Sequence, residues 1–246
     1  MLVRDNRCGE PRQSGVTLEL ESRYSCRLRR SLIWCASPES PGPVPALRGL
    51  PQEAYIARQH GPRFTVVVAC LNQERFVTAT LESVRFQAET DFQLVVTDDG
   101  STDNTVELIR AWIATHRSDA TLIAHLARIG VCATLNEALS VATGELVAFV
   151  AGDDEWMPDR LIRHRDAFDD QTVGVAYSDV EVIDLEGRQT AASYIRDVLE
   201  IDEPPAGDVF DRLAALNPIP AMGATMRLSA LRSISGFDES LVFDDW

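Results

Sequence analysis

Residues 64–70, FTVVVAC, form a near-continuous run of β-branched and apolar side chains. A strand with one face in water alternates apolar with polar residues. A run of this kind needs cover on both faces, which points to a parallel sheet held between layers of helix. The rest of the chain repeats the theme. Glu74–Phe86 carries apolar residues at 76, 77, 81 and 84, a helical stripe. Strands are expected at Phe92–Thr97, Thr121–His125 and Leu146–Val150, and helices at Thr105–His116 and Val131–Ala142, the latter closed by Gly144 as a left-handed cap. Strands alternating with helices of this length imply right-handed crossovers and a mostly parallel sheet. After residue 155 the rhythm changes: a helix near 157–168, strands at Val173–Ser178 and Val180–Asp184, a turn at Glu186-Gly187, a helix near 207–215 and an apolar stretch at 218–226.

This alternation starts only at Arg63. Residues 1–62 are rich in Arg, Pro, Ser and Gly and hold no sustained period, so they read as a flexible N-terminal extension. The charge divides at the same place. The first 62 residues carry nine Arg against six acids, a net of +3. The remaining residues carry fourteen Arg against thirty-two acids, a net of −18. A domain that acidic repels nucleic acid, so no nucleic-acid partner is expected. An anionic ligand would need a cation or backbone dipoles to hold it. Five Cys without paired spacing indicate neither a metal knuckle nor a disulfide framework, and Cys70 and Cys132 read as buried thiols. No apolar run approaches the roughly 20 residues that cross a bilayer. The expected location is the cytoplasm, or the inner face of the membrane as a peripheral protein.

Ligands of open α/β sheets sit outside the carboxyl ends of the strands. Two acidic pairs fall there: Asp98-Asp99, followed by Gly100-Ser101-Thr102-Asp103, and Asp153-Asp154 after Gly152. Each has a plain reading. Asp-Gly is a turn dipeptide, Thr102, Asp103 or Asn104 can cap the next helix, and Gly152-Asp153-Asp154 can be a solvated turn. The pairing is what argues for more. Carboxylates gathered at one edge repel unless a cation joins them, and a hard divalent ion carrying substrate phosphates removes that repulsion.

The segments FTVVVACLNQERFVTATLESVRFQ, FQLVVTDDGSTDNTVELI and GVCATLNEALSVATGELVAFVAGDDEWMPDRL resemble the inverting family 2 glycosyltransferases, as do VAYSDVEVIDLEG and GFDESLVFDDW farther on. The resemblance covers about residues 63–246. It implies a GT-A fold, a Rossmann-like three-layer α/β/α sandwich with a mostly parallel central sheet. It also implies a nucleotide-diphosphate sugar as donor, most often a UDP-sugar, a carbohydrate or lipid-linked acceptor, and Mn2+ or Mg2+ as cofactor. By position, Asp99 would accept a hydrogen bond from the nucleobase, with Asp98 beside it, and Ala69 and Leu71 would line the base pocket. Asp154 would be the direct metal ligand of a DxD-like motif, with Asp153 near the ribose or in the metal shell. Asp245 would be the general base toward the acceptor hydroxyl.

The chain departs from the family pattern in three places: Ala151 at the first DxD position, Ala69-Cys70-Leu71 for Pro-Thr-Tyr, and Arg128 for Asn. Relatives continue past the Asp244-Asp245 match, so the resemblance implies a domain incomplete at its C-terminus. A donor-binding fragment without turnover therefore stands as the alternative. A sugar-phosphate nucleotidyltransferase fits less well, because that class opens its first strand into a Gly-rich basic loop, whereas here Cys70-Leu71-Asn72-Gln73-Glu74 follows. The four His share no site-like spacing and are expected at the surface or in capping roles. Trp112 and Trp156 are expected in packing, Trp156 with a second reading as part of a sugar pocket. Asp179 reads as a strand end, and Arg227 as a candidate phosphate contact.

Overall fold

The computed structural model describes residues 63–207, 209, 213 and 217–241, together with the backbone strand β1 (Ser25–Arg27). Most of the helix expected near 207–215 lies outside the described residues, as do Asp245 and nearly all of 1–62. From Arg63 the order is β2 (Phe64–Cys70), α1 (Val77–Arg85), β3 (Phe92–Asp98), α2 (Thr105–His116), β4 (Thr121–Ala124), α3 (Val131–Val141) and β5 (Leu146–Ala151). Then follow α4 (Arg160–Ala167), β6 (Val175–Tyr177), β7 (Glu181–Ile183), β8 (Gln189–Ala191), a π-helical turn at Tyr194–Val198, a 3-10 turn at Ala221–Gly223, β9 (Ala224–Arg227) and α5 (Leu228–Ser233).

Six strands form the central sheet in the order β4-β3-β2-β5-β9-β6. β2, β3, β4 and β5 are parallel, and β9 runs against both β5 and β6. The pleat sends alternate side chains to opposite faces. Val66 and Val68 of β2 pack with Val77, Leu81 and Val84 of α1, Ile109 and Trp112 of α2 and Leu161 of α4. Val67, between them, packs on the other face with Leu135, Ala138 and Leu139 of α3 and Leu228 and Leu231 of α5. The result is a GT-A-type, Rossmann-like α/β/α sandwich, and both-sided burial is why FTVVVAC carries no polar alternation. A second, small sheet has the order β1-β7-β8, with Gly187 at φ 78° in the β7–β8 hairpin.

Two local expectations are corrected. α1 starts at Val77 rather than Glu74, because residues 71–76 are used in a loop in which Asn72 is left-handed at φ 54°. Gly144 is not a left-handed cap. It lies where a Cβ would collide with the backbone of Phe64 and Thr65, and its N–H donates to Thr65 Oγ1 at 2.9 Å. It is there for close helix-to-strand approach.

Candidate functional site

The loops that follow β2 and β3 are stitched together side by side. Asn72 N–H donates to Ser101 Oγ (2.7 Å), Gln73 N–H to Thr105 Oγ1 (2.7 Å) and Glu74 N–H to Asp103 Oδ2 (3.1 Å). In return Thr102 N–H donates to Asn72 Oδ1 (2.8 Å) and Asn104 N–H to Glu74 Oε2 (3.0 Å). Asp103 also accepts from the N–H of Thr105, the first residue of α2, at 3.0 Å. The Ser-Thr-Asp-Asn run thus supplies side-chain acceptors to irregular backbone that has no ladder of its own.

Within this frame the first acidic pair divides its labour. Asp98 is fully buried, and its carboxylate accepts from the N–H groups of Gly100 (3.1 Å) and Ser101 (2.7 Å) and from the Ser101 hydroxyl. It forms the turn. Gly100 is required there: φ is 82°, and a Cβ would lie 2.6 Å from Ala127 C. Asp99 reaches across to the start of α3. Its Oδ1 accepts from Ile129 N–H (2.7 Å), Gly130 N–H (3.1 Å) and Thr134 Oγ1 (3.2 Å), and its Oδ2 meets Arg128 Nε at 3.5 Å. A carboxylate at the amino end of a helix satisfies amides that have no partner inside the helix and sits at the positive end of its dipole.

At the neighbouring strand end, Gly152 N–H donates to Ala69 O at 2.8 Å, which binds the end of β5 to the end of β2. A Cβ on Gly152 would meet Gln73 Oε1, and Cys70 Sγ at 2.7 Å. Asp154 is buried and Asp153 partly so. Burial first, then the charges of Asp98, Asp153 and Asp103, push the Cys70 thiol far up, so it is a packing group and no nucleophile.

A cavity of about 330 Å3 runs along this edge. Ala69 and Cys70 line it from β2 and Leu71 and Gln73 from the loop after it, Asp99 from the end of β3, Arg128, Val131, Thr134 and Leu135 from α3 and the turn before it, Phe149 to Ala151 from β5, and Ala221 and Met222 from the turn before β9. Of the site residues expected from the sequence, Ala69, Leu71 and Asp99 meet in this cavity. Asp98, Asp153 and Asp154 lie behind or beside the lining, with Ala151 of β5 the lining residue nearest in sequence to the second pair.

Residues 65–230 match the profile of the family described as Glycosyl transferase family 2. The chain belongs to that family. Among curated proteins, 30% identity over 122 residues joins this glycosyltransferase domain to Nostoc sp. alr2836, described as an uncharacterized glycosyltransferase. That match covers 50% of the chain and 38% of the relative. The PGL/p-HBAD biosynthesis glycosyltransferase of Mycobacterium bovis is 31% identical over 93 residues, 38% of the chain and 36% of the relative. The chain thus spans little more than a third of the length of these relatives. Among solved structures, the mannosyltransferase PcManGT from Pyrobaculum calidifontis in complex with GDP-Man and Mn2+ superposes with a TM-score of 0.57 at 26% identity, over 76% of this chain and 50% of that one. Staphylococcus aureus TarS 1–349 in complex with UDP superposes at 0.54 with 23% identity, over 74% of this chain and 52% of that one, a likeness of fold.

The donor set of this domain can be weighed against the Mn2+ held by PcManGT. Among the described residues no group of three or more His, Cys, Asp or Glu could by itself hold a metal ion. Asp153 and Asp154 offer adjacent carboxylates at one strand end. Mg2+-like ions are held through one or two carboxylates, with substrate phosphates and water completing the shell, so two acids beside a cavity fit.

Two expectations fail against the packing. His164 is not a surface residue: it is fully buried, with Nδ1 2.9 Å from Thr225 Oγ1 and Nε2 2.6 Å from Ser178 Oγ. Arg227 faces no phosphate site; its guanidinium donates to the carbonyls of Val173 (2.8 Å), Phe168 (3.0 Å) and Asp170 (3.1 Å) and pairs with Glu145 (2.6 Å). Asp179 caps the turn at 193–195 by accepting from Ile195 N–H (3.1 Å) and the Ser193 hydroxyl. Sequence reasoning also passes over Arg160, Ala221 and Met222. Nothing in their residue types marks them. Among the described residues no helix is long and apolar enough to cross a membrane.

Proposed function

We propose that the domain beginning near Arg63 is the donor-binding and transfer unit of a metal-dependent, inverting glycosyltransferase acting on a nucleoside-diphosphate sugar. The observation that carries the proposal is the cavity at the carboxyl edge of the sheet, bordered by Ala69, Leu71 and Asp99 and adjoining the Asp153-Asp154 strand end. The GDP-Man and Mn2+ bound by the archaeal mannosyltransferase support this class of donor and ion.

In this reading Asp99 Oδ2 accepts an N–H of the base, with uracil the expected base, between the apolar walls of Ala69 and Leu71. Asp98 holds the loop that aims Asp99. A bound Mn2+ or Mg2+ would neutralise the departing diphosphate; Asp154 would be its carboxylate ligand and Asp153 would lie in the ribose or metal shell. An oxygen of a carbohydrate or lipid-linked acceptor forms the new bond to the anomeric carbon. The bond to the diphosphate oxygen breaks, and its electron pair leaves with the diphosphate. Asp245 takes the acceptor proton, a contribution of about 10²–10⁴-fold. One displacement inverts the anomeric centre.

Thermal unfolding with UDP, GDP, UDP-glucose and GDP-mannose, each with and without Mn2+, tests the proposal. A Mn2+-dependent stabilisation by one nucleotide is expected, about 2.7 kcal/mol at one hundred times Kd, and absent in Asp154→Asn. No stabilisation by any of these ligands, with or without metal, sinks it.

A further inference from the structure

The turn Ala221–Met222 has no sequence signature, yet both residues line the cavity. β9 runs antiparallel to β5, with Thr225 opposite Ala148, so its beginning lies at the carboxyl edge of the parallel strands and the turn before it overhangs that edge. β3, β2, β5 and β9 are consecutive in the sheet. Three strand spacings separate the Asp99 wall from the Met222 wall by roughly 14 Å.

This turn is held by two side chains from the segment just after Asp153-Asp154. Met222 O accepts from Trp156 Nε1 (3.2 Å) and from Arg160 Nη2 (3.3 Å). Arg160 Nη2 also donates to Ala224 O (2.7 Å), and its Nη1 to Thr225 Oγ1 (3.3 Å). The guanidinium carbon stacks 3.9 Å from the centre of the Trp156 ring. Both side chains are almost wholly buried, Trp156 at 3% and Arg160 at 1% exposure. Burial lowers the Arg160 pKa, to about 9. A buried guanidinium is a costly way to fill a core. What it does is tie together Met222, Ala224 and Thr225. The platform under it is rigid: Ser83 Oγ accepts from Trp156 N–H (3.0 Å), and Gln87 bridges Met157 O (2.8 Å) and Leu161 N–H (3.1 Å).

We propose that Trp156 and Arg160 are positioning residues that set the Ala221–Met222 turn as the wall against which the transferred sugar of the donor packs. The inference rests on the nucleotide-sugar reading above: with the base at Asp99 and the diphosphate opposite Asp153 and Asp154, the sugar occupies the β9 end. Sugar selection then belongs to a turn whose place is fixed by the segment following the two acids. Base selection belongs to the α3 side.

The test compares a nucleoside diphosphate with its sugar conjugate, using UDP against UDP-glucose and GDP against GDP-mannose, titrated calorimetrically with Mn2+. Trp156→Phe keeps an aromatic ring and removes one donor to Met222 O. Ala221→Val narrows the wall directly. Each variant is expected to leave nucleotide affinity within about twofold and to weaken the sugar conjugate about fivefold or more, the worth of one hydrogen bond or a small steric misfit. If Trp156→Phe lowers Tm while the ratio of the two affinities stays at the wild-type value, the residue is structural and the positioning role is overturned. If neither variant changes the ratio, the wall itself is overturned. A wild-type protein that binds UDP or GDP but neither sugar conjugate overturns the sugar wall alone. Wild-type protein that binds no nucleotide overturns the donor reading and this inference together.

Discussion

The two ends of the cavity are irregular backbone held by buried charge, and the charges have opposite sign. At the α3 end the Asp99 carboxylate gathers amide N–H groups at the start of a helix. At the β9 end the Arg160 guanidinium gathers the carbonyls of a turn. In each case the charge matches the backbone dipoles it must satisfy, because loop backbone has no ladder to pair with. The ends differ in reach. Asp99 borders the cavity and can touch a ligand, whereas Arg160 stands behind its wall. In the proposed reading one end combines support with recognition, and the other separates them.

The largest effect expected from breaking this comparison is at Asp99. Asp99→Ala leaves Ile129, Gly130 and Thr134 without their acceptor, and unfolding in urea should show a loss of about 3 kcal/mol. Nucleotide binding should vanish with it. An Asp99→Ala protein as stable as the parent would mean that the helix-end contacts carry no weight.

The opposite end should reveal itself through pH. Burial, then repulsion from Arg160, drives the His164 pKa well below 6.5. The folded state therefore holds His164 neutral, while the unfolded chain takes up a proton below about pH 6.5, so the unfolded state binds more protons there. Stability is full above pH 6.5 and falls as pH drops from it, by at most about 1.4 kcal/mol per pH unit from this group. His164→Gln should flatten that slope between pH 6.5 and 5, measured by Tm. An unchanged slope would show that another group carries it.

The smallest effect belongs to a charged contact outside both walls. Glu145 pairs with Arg227 at 2.6 Å but is half-exposed, and Arg227 keeps its three carbonyl acceptors without it. Glu145→Gln should cost under about 1 kcal/mol and leave nucleotide binding untouched in the same titration. A larger cost would blur the contrast between wall charges and surface charges.

Much of the α3 end is legible in the amino-acid sequence. The apolar run at 64–70 and the helical stripes give the parallel sheet, and strand ends in such a sheet gather at one edge. That is enough to bring Asp98-Asp99 and Asp153-Asp154 together. It is not enough to divide the first pair into a turn-forming Asp98 and a cavity-lining Asp99, since both are the same residue type and differ only in which loop their oxygens reach. The β9 end is not legible in this way. His164 and Arg160 sit on α4, whose pattern is as polar as a surface helix, and residue type predicts exposure for both. Their burial follows from β6 and β9 covering that face, pairings made between segments about 50 residues apart with no local signal.

The acidic strand ends and the sandwich around them are thus determined by the sequence itself, because periodicity is a local property and a parallel sheet converts it into a common edge. The tertiary structure alone decides that the reversed strand β9 carries Ala221 and Met222 back to that edge, and that a buried guanidinium holds them there. The reason is that a backbone carbonyl has no identity in the sequence: which side chain satisfies it depends on what folding brings within reach.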